Sequence, residues 1–188
     1  MDFTIQALGP VSRVFLFRQI KRFSEACHYI QHMPYQRNAV KDDPLVVLRD
    51  GYGTCSTKHA LLQQLANEHE QSAFSLWIGM FKMNGTNTPA IHSTLQKHGL
   101  AYIPEAHVYL KWGEAYLDFT RKGSHPEQFL PDLIHECAIT PSQIGTFKIS
   151  YHQQFLQQWL TQQKEVSLSF EAIWAIREQC IKDLAGAT

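Results

Sequence analysis

The sequence predicts an α+β fold in which a helix carrying a cysteine packs on a mainly antiparallel sheet. Two observations carry that expectation. A glycine-punctuated turn, Asp50-Gly51-Tyr52-Gly53-Thr54-Cys55, runs straight into a helical segment whose apolar positions are Leu61, Leu62, Leu65 and Ala66. Later, residues 106–120 alternate with period two on both sides of Trp112-Gly113, the pattern of a β-hairpin.

The elements follow in chain order. Residues 13–33 read as one amphipathic helix with Val14, Phe17, Ile20, Phe23, Cys27 and Ile30 as its apolar stripe, Ser12 as N-cap and Pro34 as a stop. Residues 34–53 are a long connection with one short apolar run, Leu45-Val46-Val47-Leu48. Residues 55–69 form the cysteine helix, with Thr54 as N-cap. Residues 73–83 alternate and predict the first strand. Residues 84–105, rich in Asn, Gly, Thr and Pro, read as an insertion with a short helix at 91–98; it ends just before His107 and is expected to wall the cleft there. Two short strands are expected near 134–139 and 146–151, then amphipathic helices at 152–163 and 170–185. The expected organisation is a domain over 1–150, with the helices of 151–188 packed on it or appended to it.

Composition narrows the function. At 188 residues, 44% hydrophobic and 18% charged, the chain has an ordinary globular make-up and enough length to bury a core without staples. Lys plus Arg equals Asp plus Glu, which gives no support for a nucleic-acid or anionic-membrane partner. Cys27, Cys55, Cys137 and Cys180 are widely spaced, a pattern of reducing compartments rather than of a disulfide framework or a zinc ribbon. With no signal-peptide pattern at the start and no run of membrane-span length, the expectation is cytoplasmic.

The chemistry concentrates at Cys55. A cysteine in the first turn of a helix sits where unpaired N–H groups favour thiolate over thiol. In the hairpin, with Trp112 and Gly113 as the turn, Lys111 pairs with Glu114, Tyr109 with Tyr116 and His107 with Asp118; sliding the register by two keeps the same faces. One face then carries Val108, Leu110, Trp112, Ala115, Leu117 and Phe119. The other presents an imidazole beside a carboxylate. A cysteine nucleophile needs such a pair, an imidazole to move the proton and a carboxylate to orient it. Taken singly, each residue has a plainer reading: Cys55 as buried filler, His107 as a satisfied histidine, Asp118 as a strand-end cap. His59, one turn after Cys55, is a rival base whose plainer role is packing. Cys55 with His59 makes too few ligands for a metal.

Gly53-x-Cys55 opening a helix, His107 on a strand and Asp118-x-Thr120 on the next, preceded by Met33-Pro34-Tyr35-Gln36, resemble the transglutaminase-like superfamily of papain-type cysteine enzymes over roughly residues 29–120. His107-Val108-Tyr109 stands where that family usually has His-Ala-Trp, and Asp118-Phe119 where Asp-Pro is common. The resemblance implies Cys55 as nucleophile, His107 as base and Asp118 as orienting acid. It also implies a peptide, protein or small amide as substrate, with no metal or organic cofactor. The Cys55 backbone N–H is the expected first oxyanion donor and Gln36 the candidate for the second, with Tyr35 and Tyr52 as alternatives. Hydrolysis and transfer both remain open. So do an arylamine-acetyltransferase-like use of acyl thioesters and a catalytically silent binding module.

Overall fold

The computed structural model describes residues 2–163 and 167–186. Its centre is a ladder between β1 (Phe74–Asn84) and β2 (Tyr102–Trp112), paired antiparallel from Phe74 opposite Trp112 to Asn84 opposite Tyr102. β3 (Ala115–Leu117) adds to β2 and β4 (Leu133–Ile139) to β1, so the order is β3-β2-β1-β4, all antiparallel. Because side chains alternate along a strand, the ladder has two apolar faces. Leu76, Ile78, Met80, Ala106, Val108 and Leu110 point into one core, under α4 (Cys55–Glu68) and the N-terminal helices α1 (Pro10–Phe17), α2 (Phe23–Gln31) and α3 (Val46–Asp50). Phe81, Met83, Ile103 and Tyr109 point into a second core, closed by Phe129, α5 (His92–Lys97), α6 (Thr146–Gln162) and α7 (Phe170–Gly186).

The α+β class therefore holds, as do the cysteine helix and its buried Leu61, Leu62, Leu65 and Ala66. Several elements differ from expectation. The helix over 13–33 is two helices, because Gln19 adopts φ +62. Gln19 N–H donates to the Leu16 carbonyl and Ile20 N–H to that of Phe15, the paired bonds of a Schellman stop. Phe17, placed in the expected stripe, is 87% exposed, while Phe15 is fully buried. The hairpin turns at Gly113-Glu114, so Lys111 faces Tyr116 rather than Glu114. That is the two-residue slide that keeps every side chain on its face. Lys111 instead reaches Glu136, two strands away, across the Trp77 ring.

β2 begins at Tyr102, inside the expected insertion, and it contains Pro104. Proline is tolerated there because β3 covers only Leu110–Trp112 of β2, which leaves the Pro104 edge without a neighbouring strand. Residues 146–151 are the first turns of α6, not a strand, and Phe147 and Ile149 remain exposed. α6 thus runs through the boundary expected at residue 150. α7 is tied in by Ile173, Ile176 and Cys180 in the second core, and by Arg177, which donates to buried Glu105 of β2. Among the described residues, no helix is long and apolar enough to cross a membrane.

Candidate active site

Loop 34–53 and α4 position the cysteine together. Thr54 takes an extended N-cap conformation, and its N–H donates to Thr57 Oγ1, 3.0 Å away. The Thr57 hydroxyl donates to Asn38, whose amide in turn donates to Asp50 and to the Tyr52 carbonyl. Gly53 is required here for close approach: a Cβ on it would lie 2.8 Å from Thr57 Oγ1 and 2.9 Å from Val47 Cγ2. Tyr35 pairs with Gly53 in a parallel bridge, which sets its ring beside Cys55. The fully buried Lys58 ammonium donates to the carbonyls of Met33 and Thr120, tying that loop to the strand end beyond Asp118.

Cys55, His107 and Asp118 are brought together. His107 Nε2 donates to Asp118 Oδ2 at 2.9 Å. That leaves the other ring nitrogen free to face the thiol, which lines the same cavity as the imidazole. Asp118 is buried, and its second oxygen accepts the Thr120 N–H at 2.9 Å. Phe129 packs edge-on to the His107 ring at 4.8 Å, and Phe81 closes the same side at 6.1 Å. His59 is not a base for Cys55. Its Nδ1–H donates to the Cys55 carbonyl at 2.8 Å and its Nε2 accepts the Phe119 N–H at 2.7 Å. Both nitrogens are used by the neutral ring, so His59 fastens the helix start to the chain that holds Asp118.

The electrostatics follow from this packing. Burial alone would hold the Cys55 thiol up, but the Lys148 ammonium, the His107 bond and charge, and the Val108 N–H bring it down to about 6. Burial works against the His107 imidazolium, and Asp118 together with the thiolate outweighs it, moving that group well up. Asp118 is held far below the usual carboxylate range: burial opposes the charge, and His107 overcomes it. His59 goes the other way, to about 4, because burial dominates the pull of Asp118.

Lys148 was not legible beforehand. It lies on the first turn of α6, with Nζ 3.8 Å from Cys55 Sγ and donating to Ser56 Oγ at 2.7 Å. An expected strand over 146–151 gave no reason to bring it there, and only the helical reading of that segment would have. Gln36, the candidate second oxyanion donor, is not brought to the thiol. It is exposed, its backbone N–H is used by the Gly53 carbonyl, and it borders a shallow groove that Cys55 does not line. Tyr52 lines neither cavity at the thiol, whereas Tyr35 lines both.

Those two cavities meet at Cys55. The first, about 80 Å³, lies on the His107 side and is bordered by Phe81, Met83, Phe129 and, from the β1–β2 connection, Asn87 and Thr88. The buried Thr120 hydroxyl lines it with no protein partner. The second, about 150 Å³, lies on the Lys148 side and is bordered by Arg37, Lys41, Arg177 and Glu178. Tyr35, Cys55, Glu105 and Ile181 line both. Among the described residues no cluster of three or more His, Cys, Asp or Glu is placed to hold a metal ion. No protein-family model matches the chain, and no curated protein or solved structure matches it either.

Proposed function

We propose that the chain is a transglutaminase-like cysteine enzyme acting on an amide or other acyl bond through Cys55, His107 and Asp118. The observation that carries this reading is a thiol at a helix start, lowered to about 6, beside an imidazole that donates to a buried carboxylate at 2.9 Å. A structural cysteine needs no such partners: Cys27 and Cys180 are buried without them, and burial pushes their thiols up.

In the proposed reaction the Cys55 sulfur attacks the carbonyl carbon and the C–S bond forms. The carbonyl oxygen takes negative charge beside the Cys55 N–H, with the Tyr35 hydroxyl and the Lys148 ammonium as the nearby donors. The carbon–nitrogen bond then breaks as His107 passes its proton to the leaving amine. Water or an amine, giving up a proton to His107, attacks the thioester and releases the thiolate. Asp118 keeps the ring in one orientation throughout.

The test is the pH dependence of Cys55 alkylation by iodoacetamide. Wild type should label with a midpoint near 6. His107→Ala and Asp118→Asn should move that midpoint toward the free-thiol value of about 8.5 and slow labelling at neutral pH by about tenfold or more. Alkaline-only labelling that neither substitution changes would sink the reading. One observation favours the second reading, a catalytically silent binding module: Cys55 is only 5% exposed, under a wall that includes Asn87 and Thr88. A silent module predicts slow labelling at every pH until that wall is displaced.

A further inference from the structure

The two cavities at Cys55 differ in charge, and that difference points to the substrate. The second cavity is lined by four cationic side chains, Arg37, Lys41, Lys148 and Arg177, and by two carboxylates, Glu105 and Glu178. Both carboxylates are taken. Glu105 accepts from Arg177, and Glu178 accepts from Arg177 at 2.6 Å and from Arg37 at 2.7 Å. Among the described residues, Lys41 and Lys148 have no carboxylate of their own. Lys41 sits among these charges: burial first, then the charges of Lys148, Arg37 and Arg177, push its ammonium down. Ile149, 42% exposed, forms an apolar lip on the same cavity.

His107 lines the first cavity and not the second, while Lys41 and Lys148 line the second and not the first. A proton delivered by His107 goes to the leaving group, so the leaving group belongs on the His107 side. The remainder of the acyl part then extends over the lysines.

We infer that the second cavity takes an anionic oxygen group, a carboxylate or a phosphate, carried on the acyl side of the scissile bond. This rests on the cysteine-enzyme reading above. Lys148, 3.8 Å from the sulfur, places that group within about one residue of the attacked carbonyl. Lys41 is the specificity residue: it borders the site, while His107 and Asp118 are paired with each other and not with it. Ammonium groups with no carboxylate partner in a half-enclosed cavity attract an anion more strongly than they would in open solvent.

The experiment compares alkylation of Cys55 by iodoacetate, which is anionic, with alkylation by neutral iodoacetamide, and takes the ratio of the two rates. The ratio cancels the thiolate fraction and, taken at a pH where His107 stays protonated in every variant, reports the lysine charge beside the sulfur. Wild type should show a ratio about three- to tenfold above that of Lys41→Gln, with Lys148→Gln lower again, and the difference should shrink as salt is raised. An equal ratio in wild type and both variants overturns the inference. Failure of the underlying reading would instead appear in the iodoacetamide rate alone, as labelling confined to alkaline pH. A second arm uses fluorogenic peptide amides with Asp, phosphoserine or Asn at the first acyl-side position. Preference for Asp identifies a carboxylate, preference for phosphoserine a phosphate, and equal turnover of all three overturns the inference.

Discussion

Replacing Lys148 by glutamine removes the ammonium 3.8 Å from the Cys55 sulfur and leaves an amide able to donate to Ser56. The alkylation midpoint should then move from about 6 toward about 8, even with His107 and Asp118 intact. An unmoved midpoint would show that the imidazole alone sets the thiol. Tyr35 makes a complementary case. Tyr35→Phe should leave iodoacetamide labelling unchanged while slowing acylation by an activated ester about a hundredfold, if its hydroxyl donates to the oxyanion; equal acylation rates would remove it from that role. Cys55, His107 and Asp118 were legible because each is placed by local pattern: a helix start for the first, two-residue periodicity for the others. A two-residue slide in register left the faces intact, so the meeting of imidazole and carboxylate survived it. Lys148 was illegible because its place depends on how α6 docks, 93 residues from Cys55. Gln36 failed for the opposite reason. Its neighbourhood in sequence is right, but the parallel bridge at Gly53 turns Tyr35, not Gln36, toward the thiol.

At the scale of elements, the break between α1 and α2 has a simple test. Gln19 holds a left-handed conformation that costs a side-chain-bearing residue about 1 kcal/mol. Gln19→Gly should therefore stabilise the chain by about 0.5–1 kcal/mol in urea unfolding, against the usual penalty for a glycine in a helix. Gly79 in β1 behaves oppositely. A Cβ there would meet Leu133 Cδ1 at 2.7 Å and Tyr109 Cε1 at 2.9 Å. The open space lets the Tyr109 hydroxyl reach Glu136 across the strand, on the face that carries His107. Gly79→Ala should cost about 1–3 kcal/mol and slow Cys55 alkylation by displacing Tyr109 against the His107 ring; a stable variant with unchanged labelling would contradict this. Apolar periodicity ran unbroken through Gln19 because Val14, Phe17 and Ile20 mimic a stripe, although Phe17 faces outward. Likewise Phe147, Ile149 and Tyr151 alternate as a strand would, yet the first two sit on the exposed side of α6. Alternation marks a strand only where one face is covered, and coverage is a tertiary fact.

For the whole molecule, acid sensitivity follows from the buried histidines. His59 titrates near 6.5 in an unfolded chain and near 4 when folded. Between those values the unfolded chain takes a proton that the folded one refuses, so stability falls as pH falls, by about 3 kcal/mol in total for this group. His152, buried with its ring bonded to the Pro104 carbonyl, shifts in the same direction. Urea unfolding at pH 7 and pH 5 should show the loss, and His59→Gln, less stable at pH 7, should show a shallower slope. An unchanged slope would mean that folding does not shift the titration of His59. Cys55 is lowered and His107 raised, so from about 6.5 to 9 their contributions have opposite signs and largely offset. A plateau should lie between about 6.5 and 8, above which Lys58, lowered to about 8 by burial, makes stability rise with pH. The α+β class was legible because the cysteine helix and the hairpin each declare themselves locally. The second core was not, because it assembles residues from β1, β2, α5, α6 and α7. The order of synthesis has a consequence for the thiol. Cys55 and His107 leave the ribosome well before Lys148, which α6 supplies. Until α6 docks, a nascent chain carries a thiol closer to ordinary acidity, with less thiolate to react with oxidants or electrophiles. Docking of α6 therefore acts as a safety catch in time: the thiol gains its nearest ammonium only after a segment 93 residues further along has been made and folded.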